Sequence, residues 1–215
     1  MTKGEYTKSV MQRMNELGWD DSFAGVFAGG DTTKVERHVV ASFADAWRDA
    51  VGLLPRGYFN QASFVDAILI GDVSQGTGFV VLPEDFYILS SFRMKGWRRA
   101  CFTAIEETDA IAAIQSNEFV RGNPYRPVCT LFEHPQHGRI MKYYSLRKGF
   151  GHIIEGASYI PLHGGIAGLG DNDDLGLDER LYDPLAWLNA GVVFDVFEKF
   201  DAAKVARGTI ERSFY

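Results

Sequence analysis

The chain has 215 residues, 46% hydrophobic and 23% charged, which suits one compact domain, or one domain with an elaborated arm, around a sizeable core. Its net charge of −6 and pI near 5.4 exclude a protein that coats nucleic acid through bulk charge, though not one with a local basic strip. Two cysteines without C-x-x-C spacing exclude a disulfide scaffold, no run approaches the ~18 apolar residues of a membrane span, and the polar, amphipathic start lacks the apolar stretch of a signal peptide. A reducing cytosol is the expected place of synthesis.

Residues Lys3 to Leu17 predict a first helix, with Tyr6, Val10, Met14 and Leu17 at helical spacing and Gly18 as its stop. After a loop from Trp19 to Gly30, Thr33 and Glu36 fit a capping box, with Asp31 and Thr32 as alternative caps. Val35, Val39, Phe43, Ala46, Trp47, Ala50 and Val51 then form one apolar stripe that Leu54-Pro55 closes.

Beyond Gly57 the pattern turns to β. Short apolar runs at Phe64–Ile70, Phe79–Leu82, Phe86–Phe92 and Trp97–Ile105 read as strands, with Pro83 marking a hand-over from the helical to the β part. Thr108–Phe119 has the composition of a short helix. Val128–Phe132 and Ile140–Leu146 predict a hairpin, and His152–Ile160 a last strand. Gly164–Gly176 reads as a mobile linker. A long helix follows, capped by Asp178 or Asp183 and marked by Leu181, Leu185, Leu188, Val192, Val196 and Lys199, and it is expected to run on through Ala202, Ala203, Ala206 and Ile210. The predicted fold is α+β: a helical bundle of two N-terminal helices and a long C-terminal helix, with an inserted antiparallel β-rich region. The predicted parts are residues 1–57, 58–163, a linker at 164–177, and 178–215, with the helices packed together.

Residue chemistry gives little for an enzyme. Glu133-His134-Pro135-Gln136-His137 matches neither a zinc finger nor H-E-x-x-H, and a proline turn is a poor platform for converging imidazoles. Asp171, Asp173 and Asp174 lack the later ligands of a calcium loop, and the glycine-rich loops at 71–78 and 164–170 lack the lysine of a phosphate loop. Cys101 and Cys129 sit among apolar neighbours and read as small buried side chains rather than as a thiol pair with His152. Neither a metal nor a cofactor is expected. The concentrated feature is a basic strip, Arg93, Lys95, Arg98 and Arg99, interleaved with Phe92, Trp97 and Phe102, with Arg121, Arg126, Arg147 and Lys148 adding to it. Its alternatives are a solvated strand edge, a contact with a partner subunit, or contact with nucleic-acid phosphates.

Several segments, in order, resemble the head-to-tail connector (portal adaptor) proteins of tailed bacteriophages. They are Leu17-Gly18-Trp19, Phe43-Ala44-Asp45-Ala46-Trp47, Leu82-Pro83-Glu84-Asp85-Phe86, and Leu177-Asp178-Glu179-Arg180-Leu181 followed by Phe194, Phe197, Glu198 and Lys199. Met94-Lys95-Gly96-Trp97-Arg98-Arg99, Arg121-Gly122-Asn123-Pro124 and Tyr143-Tyr144-Ser145-Leu146 look more narrowly like ring proteins of crAss-like gut phages. The resemblance implies a non-enzymatic virion component of the neck, a ring of about twelve copies beneath the portal that extends the DNA channel. Implied partners are further copies, the portal, a neighbouring tail ring, and genomic DNA passing without sequence specificity; no membrane is implied. It places docking to the portal or next ring on Ile210, Phe214 and Tyr215, and leaves Arg93, Lys95, Arg98 and Arg99 to the channel or a subunit contact. The rival readings are a small α+β ligand-binding protein or enzyme, with a pocket near Trp47 or Trp187, and a DNA-binding packaging accessory protein.

Overall fold

The computed structural model describes residues 1–18, 32–72, 74–147 and 149–213, the backbone alone at 32–34 and 211–213. The loop from Trp19, the proposed caps of the second helix, Lys148, Phe214 and Tyr215 therefore lie outside the described residues or side chains. The chain is α+β and divides into two compact units. One joins Met1–Asn60 with His163–Tyr215; the other is Gln61–Leu162.

The helical unit holds α1 (Lys3–Glu16), α2 (Thr32–Leu53), α4 (Glu179–Val196) and α5 (Phe200–Ser213). A reciprocal cap starts α1: Thr2 Oγ1 accepts from Glu5 N at 3.3 Å, and the Glu5 carboxylate accepts from Thr2 N at 2.9 Å. Tyr6, Val10 and Met14 are buried in one row, and every apolar residue predicted to line α2 is buried. Asp178 caps α4 by accepting from Arg180 N at 2.9 Å, and Pro184 stands inside the helix, in its second turn, where it removes the donor that would otherwise reach Arg180 O. The inward row of α4 departs from prediction beyond Leu188. Asn189 and Val193 face the core, whereas Val196 is exposed. Nor does the helix run on: Phe197–Lys199 break it, and α5 starts afresh.

Asn189 explains the shifted row. Its Oδ1 accepts from Ser42 Oγ on α2 at 2.6 Å, and its Nδ2 donates to Tyr6 Oη on α1 at 3.1 Å and to Val39 O at 3.0 Å. Tyr6 Oη donates in turn to Leu185 O at 3.3 Å, and burial pushes its phenol pKa up, which keeps that donor protonated. Three helices from opposite ends of the sequence thus share one fully buried amide with its hydrogen-bonding groups satisfied. The glycine-rich stretch before α4 is tied down as well. Lys3 Nζ donates to Leu169 O at 2.6 Å, and Gly4 N to Asp171 O at 2.9 Å.

The β unit contains two sheets. Antiparallel β1 (Ala62–Ser63), β8 (Ile154–Pro161) and β4 (Phe86–Met94) lie in the order β1-β8-β4. The second sheet runs β2-β3-β7-β6-β5, from Leu69–Asp72, Thr77–Val81, Gly138–Tyr143, Cys129–His134 and Ala104–Glu106. The antiparallel expectation needs one correction. β5 and β6 pair in parallel, which requires a crossover, supplied by the segment carrying the short helix α3 (Ala110–Ile114). That helix ends early because Asn117 Oδ1 takes the Phe119 N–H at 3.0 Å, a local turn that competes with helix continuation. The predicted strand over Trp97–Ile105 also shrinks to β5, since Trp97 turns into the core edge-on to Phe92 at 5.6 Å.

Side chains of both sheets build one core around Phe64, Phe86, Phe92, Trp97, Met141 and Tyr159. Pro83 stands inside this unit, at the corner where the chain leaves β3 in one sheet for β4 in the other. Phe86 N closes the corner on Pro83 O at 3.0 Å, and Asp85 accepts from Tyr159 Oη at 2.7 Å. Gly71 and Gly78 are cross-strand neighbours that make room for a hydrogen bond between Tyr143 Oη and His152 Nδ1. A Cβ on Gly78 would fall 2.2 Å from that hydroxyl.

Asn189→Ala is expected to lower unfolding free energy by about 2–4 kcal/mol, because it removes the three hydrogen bonds that join α4 to α1 and α2 and opens a cavity. Urea unfolding followed by far-UV circular dichroism measures this; a loss below about 0.5 kcal/mol would remove Asn189 as the hub.

Candidate functional site

The basic strip is built on two buried anchors. Met94 and Trp97 are sunk into the core, which forces the residues between and beyond them outward. Trp97 N donates to Met94 O at 3.0 Å, Gly96 takes the left-handed φ of 90°, and Lys95 N donates to Ile153 O at 2.8 Å. The chain then returns to its own strand through Phe92 and Cys101, which exchange two 2.8 Å backbone hydrogen bonds. Lys95, Arg98 and Arg99 are exposed on this excursion. Arg93 is separate from them: it lies on β4 and pairs with Glu155 of β8 at 3.1 Å. Phe92 and Trp97, read from sequence as interleaved with the basic residues, are core, and Phe102 is the exposed aromatic of that stretch.

A second loop joins the strip. Arg98 N donates to Pro124 O at 2.8 Å, within a tight turn in which Asn123 Oδ1 accepts from Tyr125 N at 2.9 Å and from Arg126 N at 3.1 Å. The same loop is held from beneath by Gln115, a buried amide that accepts from Gly122 N at 2.8 Å and donates to Ile111 O at 2.9 Å. Arg121 is anchored by donating to Gln75 O at 2.7 Å. What this well-bonded loop presents outward is apolar: Phe119 is 96% exposed, with Val120 and Tyr125 also open. Phe150 lies against Gly96, and the neighbouring Ile153 is exposed. The strip is therefore one part of a mixed surface of arginines and large apolar side chains. Sequence reading missed Phe119 because it placed the residue at the end of a short helix.

The other sequence candidates fall elsewhere. His134 stacks on Phe79 with centroids 5.6 Å apart and lies 4.8 Å from the His137 ring; among the described residues no His, Cys, Asp and Glu group could hold a metal ion. Trp47 packs edge-on to Phe59 at 5.1 Å, and Arg13 covers the Trp187 ring at 5.5 Å. Ile210, assigned by resemblance to docking, is covered within the helical unit, whereas Phe200 and Val205 of the same helix are open.

The cysteines pair with each other, not with His152, whose Nδ1 is engaged by Tyr143. A hydrogen bond from the Cys129 side chain brings the Cys101 thiol down to about 7 against the opposing push of burial, and burial raises Cys129. No protein-family model and no curated protein matches this chain. Among the described residues no helix is long and apolar enough to cross a membrane.

Alkylation of Cys101 by iodoacetamide, read as peptide mass against pH, is expected to rise with a midpoint near 7, where the thiolate forms. In Cys129→Ala the lost hydrogen bond should move that midpoint upward. An unmoved midpoint would show that Cys129 does not set it.

Proposed function

We propose that this chain is a structural ring subunit of the head-to-tail connector type, resident in the neck of a tailed-phage virion, rather than an enzyme. The observation that carries the reading is the mixed surface of the β unit: Phe119, Phe102, Tyr125, Val120 and Ile153 stand open beside Lys95, Arg98 and Arg99. A loop tied down by Gln115, Asn117 and Asn123 holds the most exposed of these in place, so ordering them at an interface costs little further entropy. Exposed apolar side chains interspersed with charge and enriched in aromatic residues and arginine fit a protein interface more than a solvated end. The order of motifs along the chain resembles that of connector proteins, and the portal, a neighbouring ring and passing DNA are the partners that this reading proposes.

Assembly proteins of this type bury more than about 2,000 Å² per interface. Mass photometry of the purified chain, alone and with a tailed-phage portal ring, is expected to show a closed multi-subunit species that adds its mass to the portal. A stable monomer that ignores the portal and binds a metabolite would overturn the reading.

A further inference from the structure

We infer that the open edge of β2 takes an added antiparallel strand from another protein, an extended segment with a basic residue followed at two-residue steps by two apolar ones. The inference does not depend on the assembly proposed above. Its basis is the pairing of β2 with β3. Ile68 O accepts from Val81 N at 2.9 Å, and the register continues through Ile70↔Phe79 and Asp72↔Thr77. Bonded and non-bonded pairs alternate along an antiparallel ladder, so residues 68, 70 and 72 turn their backbone to β3 while Leu69 and Gly71 turn theirs away. Among the described residues nothing bonds to the N–H or C=O of either.

The other sheet edges are protected. β1 is two residues long and β5 three. β4 is broken by three register shifts, and Cys101 covers it at Phe92. β2 has no shift, proline or lysine, the devices that keep an edge from pairing. Its outer face is apolar as well, with Ile68 64% and Ile70 43% exposed. A cleft of about 360 Å³ lies beside Ile70, lined also by Asp72, Thr77, Phe79, Lys142 and Tyr144.

Backbone donors and acceptors at strand spacing complement another extended polypeptide, not phosphates or a lipid surface. One charge selects among polypeptides. From Ala67 to Leu82 the only charged residue is Asp72, exposed at the end of the β2 face. Its carboxylate accepts from Ser74 N at 2.9 Å and from Ser74 Oγ at 2.6 Å, which holds it below the usual carboxylate range. The bases nearest in the fold are engaged elsewhere: Lys142 Nζ lies 4.2 Å from the Phe132 ring centroid, and Arg121 donates to Gln75 O at 2.7 Å. A second copy fits less well. The register in which two β2 edges satisfy all four groups sets Ile68 of each against Asp72 of the other, an apolar side chain against a carboxylate. A foreign strand with Lys or Arg opposite Asp72 and apolar residues opposite Ile70 and Ile68 has no such mismatch.

The test is nuclear magnetic resonance of the 15N-labelled chain with the capped peptide Lys-Thr-Val-Thr-Val. Binding should shift the Leu69 and Gly71 amides saturably and slow their hydrogen exchange about 5-fold or more, because both become donors to the added strand. A peptide with Glu in place of Lys should bind about 5-fold more weakly. Asp72→Asn, which keeps an acceptor for Ser74, should remove that preference, and Asp72→Lys should invert it, in chains that keep the wild-type melting curve. N-methylation of the two threonines should abolish binding, since it removes the donors to Leu69 O and Gly71 O. The inference is overturned if neither amide responds at about 5 mM peptide, a concentration that reveals even weak contacts. It is equally overturned if the N-methylated peptide binds as well, or if the wild-type chain does not distinguish Lys from Glu. Exchange at Leu69 and Gly71 that slows with chain concentration alone would assign the edge to a second copy and also overturn it.

Discussion

The helical unit depends on one buried amide. Asn189 is separated from Tyr6 by 183 residues and from Ser42 by 147, yet it binds both while fully buried. A buried amide with every group satisfied contributes modestly, while one left unpaired costs about 1–3 kcal/mol, so the network penalises any arrangement that misaligns the helices. Apolar stripes on α1, α2 and α4 would tolerate sliding or rotation; a fixed set of donors and acceptors does not. The ends of the chain are thereby closed into one unit, and Gln61–Leu162 forms a core of its own.

The parts of this fold that sequence periodicity could show are those where a regular stripe meets one core. α2 is the clearest case, with each predicted apolar position buried. The β hairpin is legible too, since Pro135 and Gly138 punctuate two apolar runs. Legibility fails where a polar residue takes a core position or an apolar one turns inward from a loop. Asn189 displaced the expected inward row of α4, and Trp97 turned a predicted strand into an anchored excursion. The break after Val196 carries no glycine or proline, because Glu198 occupies the left-handed position that glycine normally marks. The parallel β5–β6 pair is a long-range choice that no local pattern encodes.

The candidate surface was half legible for the same reason. Four basic residues stand out in any reading of 93–99, but which of them share a surface depends on where the aromatics go. The core takes Phe92 and Trp97; Glu155 neutralises Arg93; and a distant loop, joined through the Arg98 backbone, brings Phe119 and Tyr125. The buried thiols of Cys101 and Cys129 take no part in this surface.

Negative-stain electron microscopy of the chain mixed with a tailed-phage portal ring tests the central claim most directly. The account predicts a second closed ring seated on one face of the portal; undecorated portals beside single subunits would contradict it.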